Sequence, residues 1–328
     1  MSQSEGLKQW GIWSGFNPEE GMTIVEPPGN SQGFWSGGCS AIYDAHHQKF
    51  FLFYRSRKPI TEGRGGTCHI LESTDGFEFK EIWKADKAEF DNSESIEGAS
   101  LIKTPEGLYR LYISYINTTN RKWDLAMLEA DHPSNFDPSR KKLIYGSDEL
   151  DSEGIKDPYI ALIGGIYYLF IHYAPKELLP PNATHNDLHG TGNIFATDLG
   201  IGTTGLAISS NGTEFTFQGE VIPPGNGWDK KLTRVDTIIY TPPCFTVLYS
   251  GRSDISETYE DRTGIAITMD MRNFYKLSED SPALSSPHST GALRYADAVT
   301  VDDRLFIYYE YARPDASHEL RVNIVPIT

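Results

Sequence analysis

PYIALIGGIYYLFIHYAPK, residues Pro158–Lys176, decides the fold. A short apolar run ends at Ile163. Gly164-Gly165 breaks it, and a second run rich in Tyr, Phe, Leu and Ile follows. Two apolar runs joined by a glycine turn predict an antiparallel hairpin. The same unit recurs on both sides: CSAIYDAHHQKFFLFYRSR from Cys39, ASLIKTPEGLYRLYISYIN from Ala99, DTIIYTPPCFTVLYSGRSD from Asp236 and DAVTVDDRLFIYYEYARPD from Asp297. Equivalent apolar positions in the second run are Leu52, Leu111, Leu169, Val247 and Ile307, at steps of 59, 58, 78 and 60 residues. A step near 60 repeated around the chain predicts a radial repeat. The long step carries an insertion, which maps to a loop over residues 175–202.

A third strand follows most copies. It reads CHILESTDGFEFKEI from Cys68, TGLAISSNGTEFTF from Thr204 and TGIAITMDMRNFYKL from Thr263. Asp-Gly and Asn-Gly suit the positive φ of type I′ turns, so these turns are expected to close strand pairs. No long stretch has helical periodicity. The expected fold is all-β: one five-bladed β-propeller domain over residues 1–328, each blade a four-stranded antiparallel sheet. The segment from Trp10 to Val25 is expected to add the outer strand of the last blade. A two-sheet sandwich is the competing arrangement, which five matched units at one period disfavour.

The composition narrows the function classes. Of 328 residues, 39% are hydrophobic and 12% aromatic, enough for a buried core. No run approaches the roughly 20 apolar residues of a membrane span. Lys and Arg total 29 against 45 Asp and Glu, a net charge of −16, which argues against nucleic acid as partner. Met1–Gly15 lacks a basic region followed by an apolar run, so a cytoplasmic protein is expected. Cys39, Cys68 and Cys244 form no CxxC and predict reduced thiols.

In a propeller the first strand of each blade lines the central channel. The blade starts read Trp35-Ser36-Gly37-Gly38, Ser95-Ile96-Glu97-Gly98, Ile155-Lys156-Asp157-Pro158, Arg234-Val235-Asp236 and Arg294-Tyr295-Ala296-Asp297. Glu97, Asp157, Asp236 and Asp297 are therefore expected at nearly one station, with Lys156, Arg234 and Arg294 beside them. Converging carboxylates push their pKa values apart, so one stays protonated while another is ionised. Glycoside cleavage uses that pair, an acid on the leaving oxygen and a carboxylate on water or sugar. The structural alternative is a ring of Asp side chains capping backbone N–H groups. Trp35, Trp228, Tyr159, Tyr173, Tyr249 and Tyr295 supply flat rings near the same rim.

These residues reach a family. The chain resembles the five-bladed β-propeller glycosidases, and within them the mannoside phosphorylase and β-mannosidase family. Leu52-Phe53-Tyr54-Arg55 with Ser73-Thr74-Asp75-Gly76 is similar to the family's Leu-Tyr-Arg strand and Ser-x-Asp-Gly turn. Lys156-Asp157, Gly165-Ile166-Tyr167-Tyr168 and His172 resemble its Lys-Asp…Gly-x-Tyr…His-Arg-Pro segment. Trp228-Asp229 and Leu248-Tyr249-Ser250-Gly251 resemble its Trp-acid…Tyr-His-Gly blade. Tyr259 falls where the family has a Tyr near substrate, and Asp303–Asp315 resembles its closing strand. The departures are specific. The family's Glu-Asp-Pro-Arg, whose Asp is the phosphorylases' general acid, is Glu97-Gly98-Ala99-Ser100 here. Its phosphate-binding His-Arg-Pro is His172-Tyr173-Ala174-Pro175, and Ser250 replaces the His of Tyr-His-Gly. Asp157-Pro158 and Glu97-Gly98 are similar to the Asp-Pro and Glu-Gly of arabinanase and xylosidase relatives, in reverse chain order.

The resemblance implies an enzyme acting on a small sugar or glycoside. Glu97 is the expected general acid, and Asp157 an orienter, pKa modulator or hydroxyl ligand. Asp236 and Asp297 are expected to act as base or nucleophile. Arg55, Arg234, Arg252 and Arg294 would bind hydroxyls or an anionic substituent. Trp35, Lys156, His172, Trp228, Tyr249 and Tyr259 complete the expected substrate contacts. His185, Asp187 and His189 in the insertion suit a metal only on a helix, and its Pro, Asn and Gly content argues against one. No metal or cofactor is expected, although a propeller axis can hold a water or a cation such as Ca2+. The insertion is expected to form a lid or rim. The alternatives are a glycoside phosphorylase, a sugar-binding propeller without activity, and a pocket recruited to another reaction. Oligomeric state stays open.

Overall fold

The computed structural model describes residues 16–255 and 261–327. The predicted hairpins are present at every copy. The first strands are β2 (Trp35–Asp44), β6 (Ile96–Lys103), β10 (Ser152–Ile163), β14 (Leu232–Thr241) and β18 (Leu293–Val301). Their partners are β3 (Lys49–Arg57), β7 (Tyr109–Ile116), β11 (Ile166–Pro175), β15 (Cys244–Arg252) and β19 (Arg304–Ala312). Third strands are β4 (Gly65–Ser73), β8 (Trp123–Ala130), β12 (Thr203–Ser209), β16 (Arg262–Thr268) and β20 (His318–Pro326). Outer strands are β5 (Lys80–Asp86), β9 (Lys142–Tyr145), β13 (Thr216–Ile222), β17 (Phe274–Lys276) and, last in space though first in the chain, β1 (Met22–Val25). β1 pairs with β20, as expected of Trp10–Val25; residues 10–15 of that stretch lie outside the described residues.

Three sheets are separate four-stranded antiparallel units. The fourth unites β2–β5 with β18–β20 and β1 through a single parallel bridge, Trp35 to His318. Leu52, Leu111, Leu169, Val247 and Ile307, the five repeat positions, all sit in second strands and are fully buried. Those strands read as continuous apolar runs because both faces are covered. Leu111 and Ile113 pack toward Phe53 and Ile70 of the preceding sheet. Tyr112, between them, packs toward Leu169 and Ile171 of the next. The same exchange joins Phe170 to Val247, Leu248 to Ile307, and Tyr308 to Leu52, so the cores run round the molecule and close on the first unit.

A ring of hydrogen bonds ties the first strands in the same order. Each backbone N–H donates to a side chain of the preceding unit: Leu101 to Ser40 at 3.0 Å, Ile160 to Ser100 at 3.0 Å, Ile238 to the Tyr159 hydroxyl at 3.0 Å, Ala298 to Thr237 at 3.4 Å, and Ala41 to Asp297 at 2.8 Å. This is an all-β, propeller-like arrangement of four-stranded antiparallel sheets.

Two local expectations are corrected. The turns after the third strands are not two-residue type I′ turns. Six residues separate Ser73 from Lys80, and only Gly76 among them has positive φ, at 83°. The Ser73 hydroxyl instead accepts from the Asp75 and Gly76 N–H groups, and the Asp75 carboxylate from those of Phe77 and Glu78. Ser209 with Asn211 and Thr268 with Asp270 repeat this device, in which short polar side chains replace the strand ladder. The insertion also contains a helix, α1 (His185–His189), despite its composition. A capping box between Thr184 and Asp187 satisfies its first N–H groups. Leu188, Ile194 and Phe195 bury against Ile116, Trp123 and Ala174, which holds the insertion down.

Candidate functional site

Every first strand carries a register shift near its entry. It falls between Gly37 and Ser40, Ile96 and Ala99, Lys156 and Tyr159, Val235 and Thr237, and Arg294 and Asp297. A bulge leaves residues unpaired and re-aims their side chains. Gly38, Asp157 and Tyr295 sit in these bulges with φ of 63°, 50° and 51°. Asp157 and Tyr295 lack glycine's freedom there, so the surrounding contacts hold the strain.

The bulges set the four carboxylates at different offsets along their strands. Aligned on the fully buried repeat positions, Glu97, Asp157, Asp236 and Asp297 stand four, three, two and one residues before Leu101, Ile160, Ile238 and Ala298. They meet different surroundings in consequence.

Two small adjoining cavities, of about 20 Å³ each, share Arg234 and Tyr295 in their walls. The first is lined by Asp157, Asp236 and Asp297, with Gly98 and Tyr159. The second is lined by Glu97 and Asp261 among Arg55, Arg57, Lys156, Arg252 and Arg294. Asp157 Oδ1 accepts from the Gly98 N–H at 3.1 Å. Its Oδ2 lies 3.2 Å from Arg234 Nη1, 3.4 Å from Lys156 Nζ and 3.4 Å from the Tyr295 hydroxyl. The Arg234 guanidinium rests on the Tyr295 ring, 3.7 Å from its centroid. Gly98 is not a gap awaiting the family's acid: a Cβ there would stand 2.6 Å from Asp157 Oδ1.

The carboxylates divide into two electrostatic kinds. Burial raises Asp236 to about 6, against the lowering effects of Arg234 and of its 2.5 Å hydrogen bond from Ser250. Burial likewise raises Asp297 to about 6 while it accepts the Ala41 and Ala298 N–H groups. Glu97 and Asp261 go the other way. Burial pushes Glu97 up, but Lys156 at 2.5 Å, then Arg55 and Arg57, hold it well below the usual carboxylate range. Burial pushes Asp261 up as well, and Arg252, Arg234 and Arg294 outweigh it and lower its pKa. These cations favour the ionised form of Glu97 over the proton-donating one.

Other expected contacts lie elsewhere. Trp35 is buried between the stacked His318 ring at 4.8 Å and the Arg57 guanidinium at 4.3 Å. Trp228 and Tyr249 pack together in the core between two sheets, the indole N–H bonded to Ser278 O. Tyr173 packs on Phe217. His172 is fully buried beside Phe195, its Nδ1 3.1 Å from Thr233 O. Burial, then Lys156, Arg234 and Arg252, push it well below its ordinary pKa, which keeps the ring neutral. Tyr259 lies outside the described residues. His189 bonds Glu153 at 2.8 Å, and among the described residues no cluster of three His, Cys, Asp or Glu forms a metal site.

Sequence reasoning missed Arg57, Asn193, Phe195, Asp261 and Glu310. Arg57 was signalled by its place two residues beyond Arg55 on one strand face. Glu310, a lone charge within Phe306–Ala312, was signalled by the apolar run around it; its Oε1 takes Arg294 at 2.6 Å and His318 at 2.7 Å. Asn193 and Phe195 reach the cavity from the insertion, and Phe195 O accepts from Arg252.

No protein-family model matches the chain, and no curated protein matches it. Solved structures do. A β-1,2-mannobiose phosphorylase from Listeria innocua, solved with β-1,2-mannobiose, superposes with TM-score 0.61 at 15% identity, covering 93% of this chain and 94% of that one. A glycosyl hydrolase from Bacteroides ovatus gives 0.62 at 15%, over 94% and 92%. A thermostable family-43 glycoside hydrolase gives 0.62 at 15%, over 93% and 92%. The chain shares the fold of these glycoside hydrolases and phosphorylases. No helix among the described residues is long and apolar enough to cross a membrane.

Proposed function

We propose that this chain is a single five-bladed β-propeller domain that cleaves a glycosidic bond in a small sugar by hydrolysis. One observation carries the reading. A buried carboxyl with a pKa of about 6, Asp236, and a carboxylate held ionised, Glu97, line adjoining cavities that share Arg234 and Tyr295. Glycoside hydrolysis needs that division: one carboxyl protonates the leaving oxygen, and one carboxylate activates water or attacks the sugar. In this reading Asp236 gives the proton, held in place by Ser250 and Arg234. Glu97 is the ionised partner. Asp157, fixed by the Gly98 N–H, binds a sugar hydroxyl, and Tyr295 with Arg234 forms the shared wall. Asp297 is a brace, since both its oxygens are taken by backbone N–H groups. The neighbours' names support the chemistry, and the site supports it independently of them.

The test is turnover of aryl glycosides and short oligosaccharides, with and without phosphate, by wild type, Asp236→Asn and Glu97→Gln. Phosphate-independent turnover, lost about 10²–10⁴-fold in Asp236→Asn, is expected. Wild-type kcat/KM should fall above about pH 6 as the donor loses its proton. Turnover that requires phosphate would assign the cleft to phosphorolysis. Saturable sugar binding without turnover in wild type would make it a binding site.

A further inference from the structure

The second cavity gathers positive charge. Six cations line it: Arg55, Arg57, Lys156, Arg234, Arg252 and Arg294. Among the described residues, several carboxylates pair with them. Lys156 takes Glu97 and Asp157, Arg252 takes Asp261, Arg294 takes Glu310 and Asp261, and Arg234 reaches Asp157, Asp236 and Asp261. Arg55 stands out among these cations for its unbonded donors. It is 3% exposed, and its Nε and Nη1 have no hydrogen-bond partner. Arg234 Nη2 and Arg252 Nε are also unpartnered. Buried guanidinium N–H donors left unbonded are costly, and their planar fork matches an oxyanion. This concentration of positive charge is local, because the chain as a whole carries −16.

We infer that the cleft takes an acidic sugar, one whose carboxylate or sulfate ester is gripped by Arg55 with Arg234 and Arg252. The inference rests on the glycoside reading for its placement beside the reacting bond, but binding tests it without turnover. The sugar ring then lies against the Tyr295 wall shared by both cavities, with its linkage toward Asp236. The fork supplies selection: a neutral sugar leaves the same donors unpaired and is rejected for that reason.

The experiment is calorimetric titration of the full chain with methyl β-D-glucuronide, methyl β-D-galacturonide and galactose-6-sulfate. Their neutral counterparts and inorganic phosphate are titrated alongside. At least one acidic sugar is expected to bind 10- to 100-fold more tightly than its neutral counterpart, about the value of a charge-assisted hydrogen bond. Arg55→Met should remove that ratio, and Arg55→Lys should restore part of it, since Lys keeps charge without the fork. Circular dichroism of both variants establishes that they fold; should Arg55→Met unfold, the wild-type ratio and Arg55→Lys still decide. Equal binding of acidic and neutral sugars overturns the inference, as does no binding of any acidic sugar. Binding of phosphate alone, supporting turnover of neutral glycosides, also overturns it and leaves the glycoside reading standing. Tight, Arg55-dependent binding of an acidic sugar that is never cleaved keeps the inference and removes the hydrolase.

Discussion

Asp236 and Asp297 look alike in isolation: each is buried, each has a pKa of about 6, and each begins a repeat. Their partners separate them. Asp297 accepts two backbone N–H groups, one from the first unit and one from its own strand, and so closes the ring of inter-strand bonds. Asp236 is held by a guanidinium and a hydroxyl, groups that also suit a substrate. The same contrast holds between the two levels of the axis. In the bracing ring every named side chain has a backbone partner. In the cationic cavity, N–H donors of Arg55, Arg234 and Arg252 have none. Saturated polar groups serve the architecture, and buried donors without partners call for an explanation, which a ligand would supply here.

The largest expected effect breaks that comparison at Asp236. Asp236→Asn should lose about 10²–10⁴-fold in kcat while circular dichroism and Tm change little. Asp297→Ala should do the reverse. It strands the buried Ala41 N–H, costs about 1–3 kcal/mol and lowers Tm by a few degrees, with turnover kept within a few-fold. Equal losses of activity in both would erase the distinction. Gly98→Asp comes next. Reinstating the family's acid pushes Asp157 aside rather than adding a donor, so turnover should fall, and a gain in rate would refute the packing argument.

A pH series sharpens the comparison further. Asp297 has a folded pKa of about 6 against an ordinary 3.8. Below about pH 4 both states hold the proton; between about 4 and 6 the unfolded chain releases it first, so this carboxyl costs stability as pH rises. Asn has no proton to lose. The stability of Asp297→Asn relative to wild type should therefore improve across that window, by at most about 3 kcal/mol. A constant offset in chemical denaturation would mean the carboxyl is not shifted. The smallest effect lies far from the axis: Ser209→Ala, which removes a turn acceptor, should cost about 0.5–1.5 kcal/mol and leave turnover unchanged.

Much of this was legible beforehand. Leu52, Leu111, Leu169, Val247 and Ile307 announced the repeat because each must fill the same buried position between two sheets. The charges at the axis were legible in part: Glu97, Lys156, Asp157, Arg234, Asp236, Arg294 and Asp297 stand in the quoted repeat starts, whereas Arg57, Asp261 and Glu310 do not. Their division of labour was not. One or two unpaired residues in each bulge move a carboxylate from brace to site, and nothing in Arg-Val-Asp or Arg-Tyr-Ala-Asp announces where the bulge falls. Trp35 and Trp228 read as sugar platforms, yet their rings are covered by His318 and Tyr249.

The sequence by itself determined what acts over short range: hairpins, turns, the period near 60 residues and the alternation that buries both faces of each second strand. Only the tertiary structure decided which charges meet. Lys156 pairs with Glu97 across 59 residues, Arg234 with Asp157 across 77, and Asp297 reaches Ala41 across 256. The ionisation of each carboxyl follows from its burial and its neighbouring cations, and both exist only once the ring has closed.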